Sequence, residues 1–468
     1  MNSNNRYRSR RRRRSLHARR AIFFAAATIL LVAIIALIVF LATPGGSDDT
    51  AKPSIEPSQV VQITQEPTQE PESEATPEPA IMSEPSAEPS EPSAEPSEEP
   101  LSDPVIPETA AVQSTPAAGT GRRVHIRVLG DIMFHKEQLE MAKQPDGSYD
   151  FSLQFKYIAD SIGAADYTIA NLETTVGKYG DMGYSGYPQF NTPEVVLETL
   201  RDCGIDFFTM ANNHMLDRWF DGMKNSVNLV EQYGFDHVGA YRTQEERNTP
   251  VVYDVNGIRI GFVAYTHATN TMENYCDEAA KLYGVPYLYK SDIEADVQAL
   301  RDAGAEVVIA LPHWGEENTY IPDDTQKKYA KRLAAAGVDI ILGSHSHMVE
   351  PMLTYEGADA NGNQRQVFCI YSMGNFISTM TLGRTDNGII LDFTIVEQPD
   401  GSFRVEDIGY VPIYVWKHGS QLTVLPILSY TGENRPDVMS DDQYDRMVES
   451  YYEITGVLGT DQFRVLEK

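Results

Sequence analysis

Cysteine is scarce. The three in 468 residues, Cys203, Cys276 and Cys369, are too few and too irregularly spaced to form a disulfide framework. They read as free, mostly buried thiols, and with no cysteine pair at ligand spacing a thiolate zinc site is excluded. Basic charge is scarce as well: the net charge is −29, although residues 1–20 hold nine arginines and no acid. So acidic a chain argues against nucleic acid as a partner. A polyanionic ligand would need bound metal or a local basic patch to meet it. Long apolar runs are absent with one exception, Ala21 to Ala42, 22 uncharged residues. That is enough helix to cross a hydrocarbon layer of about 30 Å.

The run is longer than the core of about 7–15 residues usual in a cleaved signal peptide, and Ala42-Thr43-Pro44 is a poor cleavage site. It reads as an uncleaved signal anchor, with cleavage as the alternative. The arginine cluster then stays cytoplasmic and everything after residue 43 lies outside the cell. Residues 43–121 carry 16 acids against one lysine and hold 15 of the 27 prolines. Like charges repel, proline removes backbone donors, and little apolar surface is available to bury. This stretch is expected to be a disordered spacer, which leaves 122–468 as the folded domain.

Within that domain strands and helices alternate. Strands are expected over 124–129, 166–170, 206–210, 306–311 and 338–342, and helices over 193–202, 221–233, 293–303 and 324–335. A hairpin is expected over 251–265 around Asn256-Gly257, and later strands over 367–371, 388–397 and 403–415. The pattern predicts an α/β sandwich with its site along one sheet edge. Each of the first strands, the hairpin aside, runs into a residue able to hold a metal: Asp131, Glu173, Asn213 with His214, His313, and His345 with His347. Open α/β sheets bind ligands beyond the carboxyl ends of their strands. Taken singly, each residue has an ordinary structural role: a turn cap for Asp131, a helix cap for Glu173, a turn for Asn212-Asn213, a core histidine for His313. Together they point to a metal centre. Oxygen and imidazole donors without thiolate suit Mn, Fe, Zn, Co or Mg. Gly343 is expected to permit the turn that aims His345 and His347 at one point.

The blocks Gly130-Asp131-Ile132-Met133-Phe134, Asn171-Leu172-Glu173, Ala211 to Asp217, His313 to Glu317, Gly343 to Pro351 and Tyr371 to Phe376 follow one another in a fixed order. In this the chain resembles the CapA-type family of poly-γ-glutamate capsule biosynthesis, a branch of the calcineurin-like metallophosphatases. The resemblance implies a four-layer αββα sandwich and a site for one or two divalent cations. It would make Glu173 the bridging ligand, place Asn213, His313 and His345 at one cation and Asp131 and His347 at the other, and make His214 a general acid. Met133 stands where the wider phosphatase pattern has a histidine, so His135 or His267 would have to supply a further donor. The function implied is a membrane-anchored, extracytoplasmic role in synthesis or export of an envelope polymer, through a hydrolase or phosphoesterase-like site. The alternative is a non-catalytic scaffold of a capsule synthase that guides an anionic polymer. A pure adhesin or spacer leaves the ligand set unexplained. Expected partners are the membrane, through residues 21–42, membrane subunits of a capsule synthase, and the anionic polymer.

Overall fold

Residues 307–313, Val-Val-Ile-Ala-Leu-Pro-His, are buried without exception. A continuous apolar run of this length suits a parallel strand covered on both faces, and the structure uses it so. The structure is a computed structural model that describes residues 121–178, 183–358 and 364–468. The basic tail, the expected span over 21–42 and the linker, Gly121 aside, lie outside the described residues. Among those residues no helix is long and apolar enough to cross a membrane.

In chain order the strands begin with β1 (Arg123–Ile132), β2 (Tyr167–Leu172), the short pair β3 (Thr175–Val176) and β4 (Asn191–Thr192), β5 (Phe207–Thr209) and β6 (Asp236–Val238). Next come β7 (Val251–Val255), β8 (Ile258–Thr266), β9 (Val307–His313), β10 (Ile340–Leu342), β11 (Met352–Ala358) and β12 (Gln364–Ile370). The last are β13 (Asn375–Ile377), β14 (Asn387–Glu397), β15 (Phe403–His418), β16 (Gln421–Pro426) and β17 (Arg464–Val465). One sheet runs β16-β15-β14-β1-β2-β5-β6, and the second β11-β12-β10-β9-β8-β7. In the first sheet the parallel strands β1, β2, β5 and β6 run out to one edge, with antiparallel β14, β15 and β16 on the other side; in the second, parallel β8, β9, β10 and β12 are flanked by antiparallel β7 and β11.

Alternation along the second sheet shows how the layers stack. Ile260, Phe262, Val307 and Ile309 face the first sheet, where the Phe207 and Phe262 rings stack at 4.4 Å. Val263, Tyr265, Val308 and Ala310 face the helices Ile293–Asp302 and Asp324–Ala336. The first sheet carries helices too: Ser152–Phe155 lies against β16, and Asp441–Leu458 against β14 and β15.

The expected helices and the hairpin are present. Asn256 (φ 49°) and Gly257 (φ 83°) make the turn between β7 and β8. Three expectations need correction. Asp131 and His313 do not follow their strands but lie inside them, β1 continuing to Ile132 across an irregularity between Leu129 and Asp131. The site is not at one sheet edge, because both sheets contribute strand ends to it. And β11, β16 and the helix Asp441–Leu458 extend a C-terminal part that was expected to be mostly strands over 367–415. That helix begins with a reciprocal cap between Ser440 and Gln443, a signal present in the sequence.

Candidate metal centre

The centre is assembled from the carboxyl ends of five parallel strands. β1, β2 and β5 bring Asp131, Glu173 and Asn213 from the first sheet; β9 and β10 bring His313, His345 and His347 from the second. All six are at most 3 % exposed. Two triads of donor atoms, each within 4.8 Å of one another, share one carboxylate: Glu173, His313 and His345, and Asp131, Glu173 and His347. His313 Nε2 lies 2.9 Å from Asn213 Oδ1 and 3.6 Å from Glu173 Oε1, which adds Asn213 to the first triad. Donors that share a cation at about 2.0–2.2 Å sit about 3 Å apart, so these spacings fit a bound ion.

The amide of Asn171 ties the two sides together. Its Nδ2 donates to Asp131 Oδ1 at 2.8 Å and lies within 3.4 Å of Glu173 Oε2 and 3.3 Å of His313 Nδ1. Asn212 Nδ2 donates to Asn171 Oδ1 at 3.2 Å and to the Leu172 carbonyl at 2.8 Å, which fixes the way that amide faces. His313 Nδ1 also meets Ser344 Oγ at 2.9 Å, leaving Nε2 to face the centre. His347 Nδ1 lies 3.2 Å from Asp131 Oδ2 and 3.0 Å from Asn375 Oδ1. Such outer contacts set ring orientation and tautomer at metal sites.

Two observations test whether a cation fits. Glu173 Oε1 and His345 Nδ1 are buried polar atoms without a hydrogen-bond partner, a costly state for isolated groups. Burial, with Asp131 beside it, pushes the Glu173 carboxyl well above the usual carboxylate range. Burial and the neighbouring imidazoles hold His313 and His345 well below the usual histidine range, as neutral donors. A buried acid pair facing neutral imidazoles is relieved by positive charge at its centre. The donor set therefore fits divalent metal binding.

The histidine loop is built differently from the expectation. His345 (φ 102°) and His347 (φ 59°) themselves take the left-handed backbone, and Gly343 does not. Two such residues store about 1–3 kcal/mol each. Gly343 serves close approach: a Cβ there would run into the Tyr371 carbonyl and lie 2.6 Å from Trp314 Nε1.

His214 stands beside this cluster. Its Nδ1 is 2.7 Å from Asp217 Oδ2, which also accepts from the Phe190 amide at 2.6 Å, and its ring meets the Phe190 ring edge-on at 4.6 Å. Burial raises Asp217 against the pull of His214. Neither of the two extra histidines joins a triad. His135 caps the helix Lys136–Ala142 and accepts from the Thr379 amide at 3.4 Å, its imidazole held down to about 4 by burial. His267 packs its ring on His345 at 4.3 Å, with Nδ1 3.3 Å from the His313 carbonyl. The third acid–histidine cluster comes instead from Glu317, exposed, with His345 and His347. Sequence reasoning passed over Glu317, Asn171, Asp217 and Asn375 as site residues, though each lies in a block quoted above. The three cysteines are free, Cys203 and Cys369 being buried and Cys276 partly so.

Among solved structures the chain is similar to the NAD nucleotidase of Haemophilus influenzae (TM-score 0.39, 12 % identity, 71 % of this chain and 67 % of that one). It is also similar to the calcineurin-like phosphoesterase YfkN of Bacillus subtilis (TM-score 0.35, 13 % identity, 72 % of this chain and 98 % of that one). The PGA biosynthesis protein CapA of Bacillus subtilis is 27 % identical over 286 residues, 60 % of this chain and 70 % of that protein. The capsule biosynthesis protein CapA of Bacillus anthracis is 24 % identical over 318 residues, 67 % and 72 % of the two chains. A probable polyglutamine synthesis accessory protein of Mycobacterium tuberculosis is 26 % identical over 208 residues, 42 % and 53 %. Residues 125–380, which contain every donor named above, match the family described as bacterial capsule synthesis protein PGA_cap, and the chain belongs to that family.

Proposed function

We propose that this chain is a membrane-anchored, extracytoplasmic accessory protein of poly-glutamate-type capsule synthesis or export, working through a divalent-metal, phosphoesterase-like hydrolase site. The observation that carries the reading is the pair of donor triads joined at Glu173, inside the stretch that matches the family. The relatives' names supply the capsule context; the uncharged run over 21–42 behind nine arginines supports the anchor and its orientation. The sandwich is read as four layers, helices outside and two sheets within.

Asp131, Glu173, Asn213, His313, His345 and His347 would hold one or two cations. When bound, such ions lower the pKa of water and clamp a phosphoryl oxygen. The chain's own residues do the rest. Asn171, Asn212, Ser344 and Asn375 hold the donors in place. Asp217 engages Nδ1 of His214, so Nε2 is the ring nitrogen that carries a proton towards a leaving group.

Met133 favours a second reading, a scaffold that guides an anionic polymer, because it leaves the Asp131 side one donor short. Elemental analysis of the purified chain separates the two when combined with a turnover screen on phosphoesters and γ-glutamyl peptides. Bound metal with turnover supports the hydrolase; bound metal without it supports the scaffold. A metal-free protein without turnover ends the hydrolase reading and leaves the scaffold.

A further inference from the structure

The segment that follows His313 is fastened to the histidine loop at both ends. Trp314 N donates to the Ser344 carbonyl at 3.1 Å, and Asn318 N donates to the Ser346 carbonyl at 2.8 Å. Between those anchors the backbone turns through two left-handed residues, Gly315 (φ 91°) and Asn318 (φ 62°). Trp314 is fully buried, with its indole N–H on the Tyr371 carbonyl at 2.9 Å. Gly315 sits so close to Gln326 that a Cβ would lie 2.6 Å from that side chain. Such a turn has little freedom to move. It hangs Glu317 beside the loop that carries His345 and His347, and a Glu317 oxygen lies within 4.8 Å of a nitrogen of each.

An exposed glutamate in so acidic a chain is ordinary by itself. Here a second fact points to a ligand: His345 is 3 % exposed, and its Nδ1 has no hydrogen-bond partner. The donor set is short on one side as well, since Met133 offers nothing. We propose that Glu317 is a further ligand of this metal centre, a solvent-side carboxylate that joins His345 and His347 at a divalent cation. It rests on the metal reading above and extends it: the centre is completed from the β9 loop, not from His135 or His267. Being exposed, Glu317 is also the donor that can yield its place to an incoming anionic substrate.

The test is titration of the metal-stripped full-length chain with Mn(II), bound and free ion being distinguished by electron paramagnetic resonance. Wild type, Glu317→Gln and the neighbouring Glu316→Gln are compared, each with a matched thermal melt. Removing a direct ligand weakens binding by at least the roughly 10–100-fold typical of outer-shell changes. Glu317→Gln should therefore weaken at least one equivalent of Mn(II) by that much, with Glu316→Gln like wild type. Equal Mn(II) affinity in wild type and Glu317→Gln overturns the ligand role and leaves the metal centre standing. Equal weakening in both variants reduces Glu317 to general surface charge and overturns it too. A wild type that binds no Mn(II) overturns this proposal together with the reading beneath it.

Discussion

Glu173 is the residue on which both donor triads depend. It is fully buried, one of its oxygens lacks a partner, and no other residue in Asn171-Leu172-Glu173-Thr174-Thr175 offers a carboxylate. Glu173→Gln keeps the shape and removes the charge, so binding of both cations should fall by about 10–100-fold or more. His313→Ala should chiefly strip the ion held with Asn213 and His345. Elemental analysis of the folded variants decides this, and wild-type metal content in Glu173→Gln would remove the bridging role. On the proposed reading His214, which joins no donor triad, serves the chemistry and not the holding of metal. On any phosphoester that the wild type hydrolyses, His214→Gln should lower kcat by about 10²–10⁴-fold with metal content unchanged. Loss of metal in that variant would instead make His214 a ligand. The donors themselves could be read from the sequence because each stands at the end of an apolar strand run or just past it. Asn171 and Asn375 could not: their work is to orient other side chains, and the contacts that show it reach across 142 residues to His313 and 28 to His347. Glu317 escaped for another reason, since an acid in an acidic loop has no local pattern to mark it.

At the scale of elements, the helix Asp324–Ala336 does more than cover the second sheet. Its N-terminal cap pairs Asp323 with Gln326, and Gln326 Nε2 also donates to Glu350 at 2.6 Å, three residues beyond His347. The helix end thus holds the histidine loop through one buried carboxyl. Burial pushes Glu350 from 4.5 up to about 8. In the unfolded chain Glu350 ionises near its ordinary value, whereas the folded chain keeps the proton until about 8. Over that window the native state holds a proton that the unfolded state has released, so stability falls as pH rises from about 4.5 to about 8. Glu350→Gln can still accept from Gln326 and has nothing to ionise. Melts of the two proteins should agree near pH 4.5 and diverge towards pH 8, the variant gaining on the order of a few kcal/mol. Parallel curves across the window would show that Glu350 ionises freely in the fold. The helices and the hairpin were legible because periodicity, caps and Asn256-Gly257 are local signals. The left-handed histidines were not, since the loop's own contacts reach residues distant in sequence, His345 N to Asp131 Oδ2 and the Ser346 carbonyl to Asn318 N.

At the scale of the whole molecule, composition divides the chain more sharply than any motif. Fifteen of 27 prolines and 16 acids fall in residues 43–121, whereas the described core draws on buried residues from Val124 to Leu458. The core closes on itself at its N-terminal boundary. Arg122 pairs with Glu306 and Glu397, both at 2.8 Å, joining the start of the domain to β14 and to the approach to β9. Those side chains are partly exposed, so the pairs mark the boundary more than they stabilise it. The fold should therefore begin at about Arg122 and need nothing before it. Proteases cut backbone that can enter their clefts, which packed and hydrogen-bonded segments cannot do. Limited proteolysis of the full-length chain should accumulate one fragment near 122–468, with cuts concentrated between residues 50 and 115. That fragment should melt at the same temperature as the domain in the intact chain, because the apolar side chains of the excised stretch are few and scattered among acids and prolines that keep it from packing. Protection throughout 50–115, or a fall in melting temperature after trimming, would mean that the acidic stretch packs on the domain and that the boundary lies further towards the N-terminus.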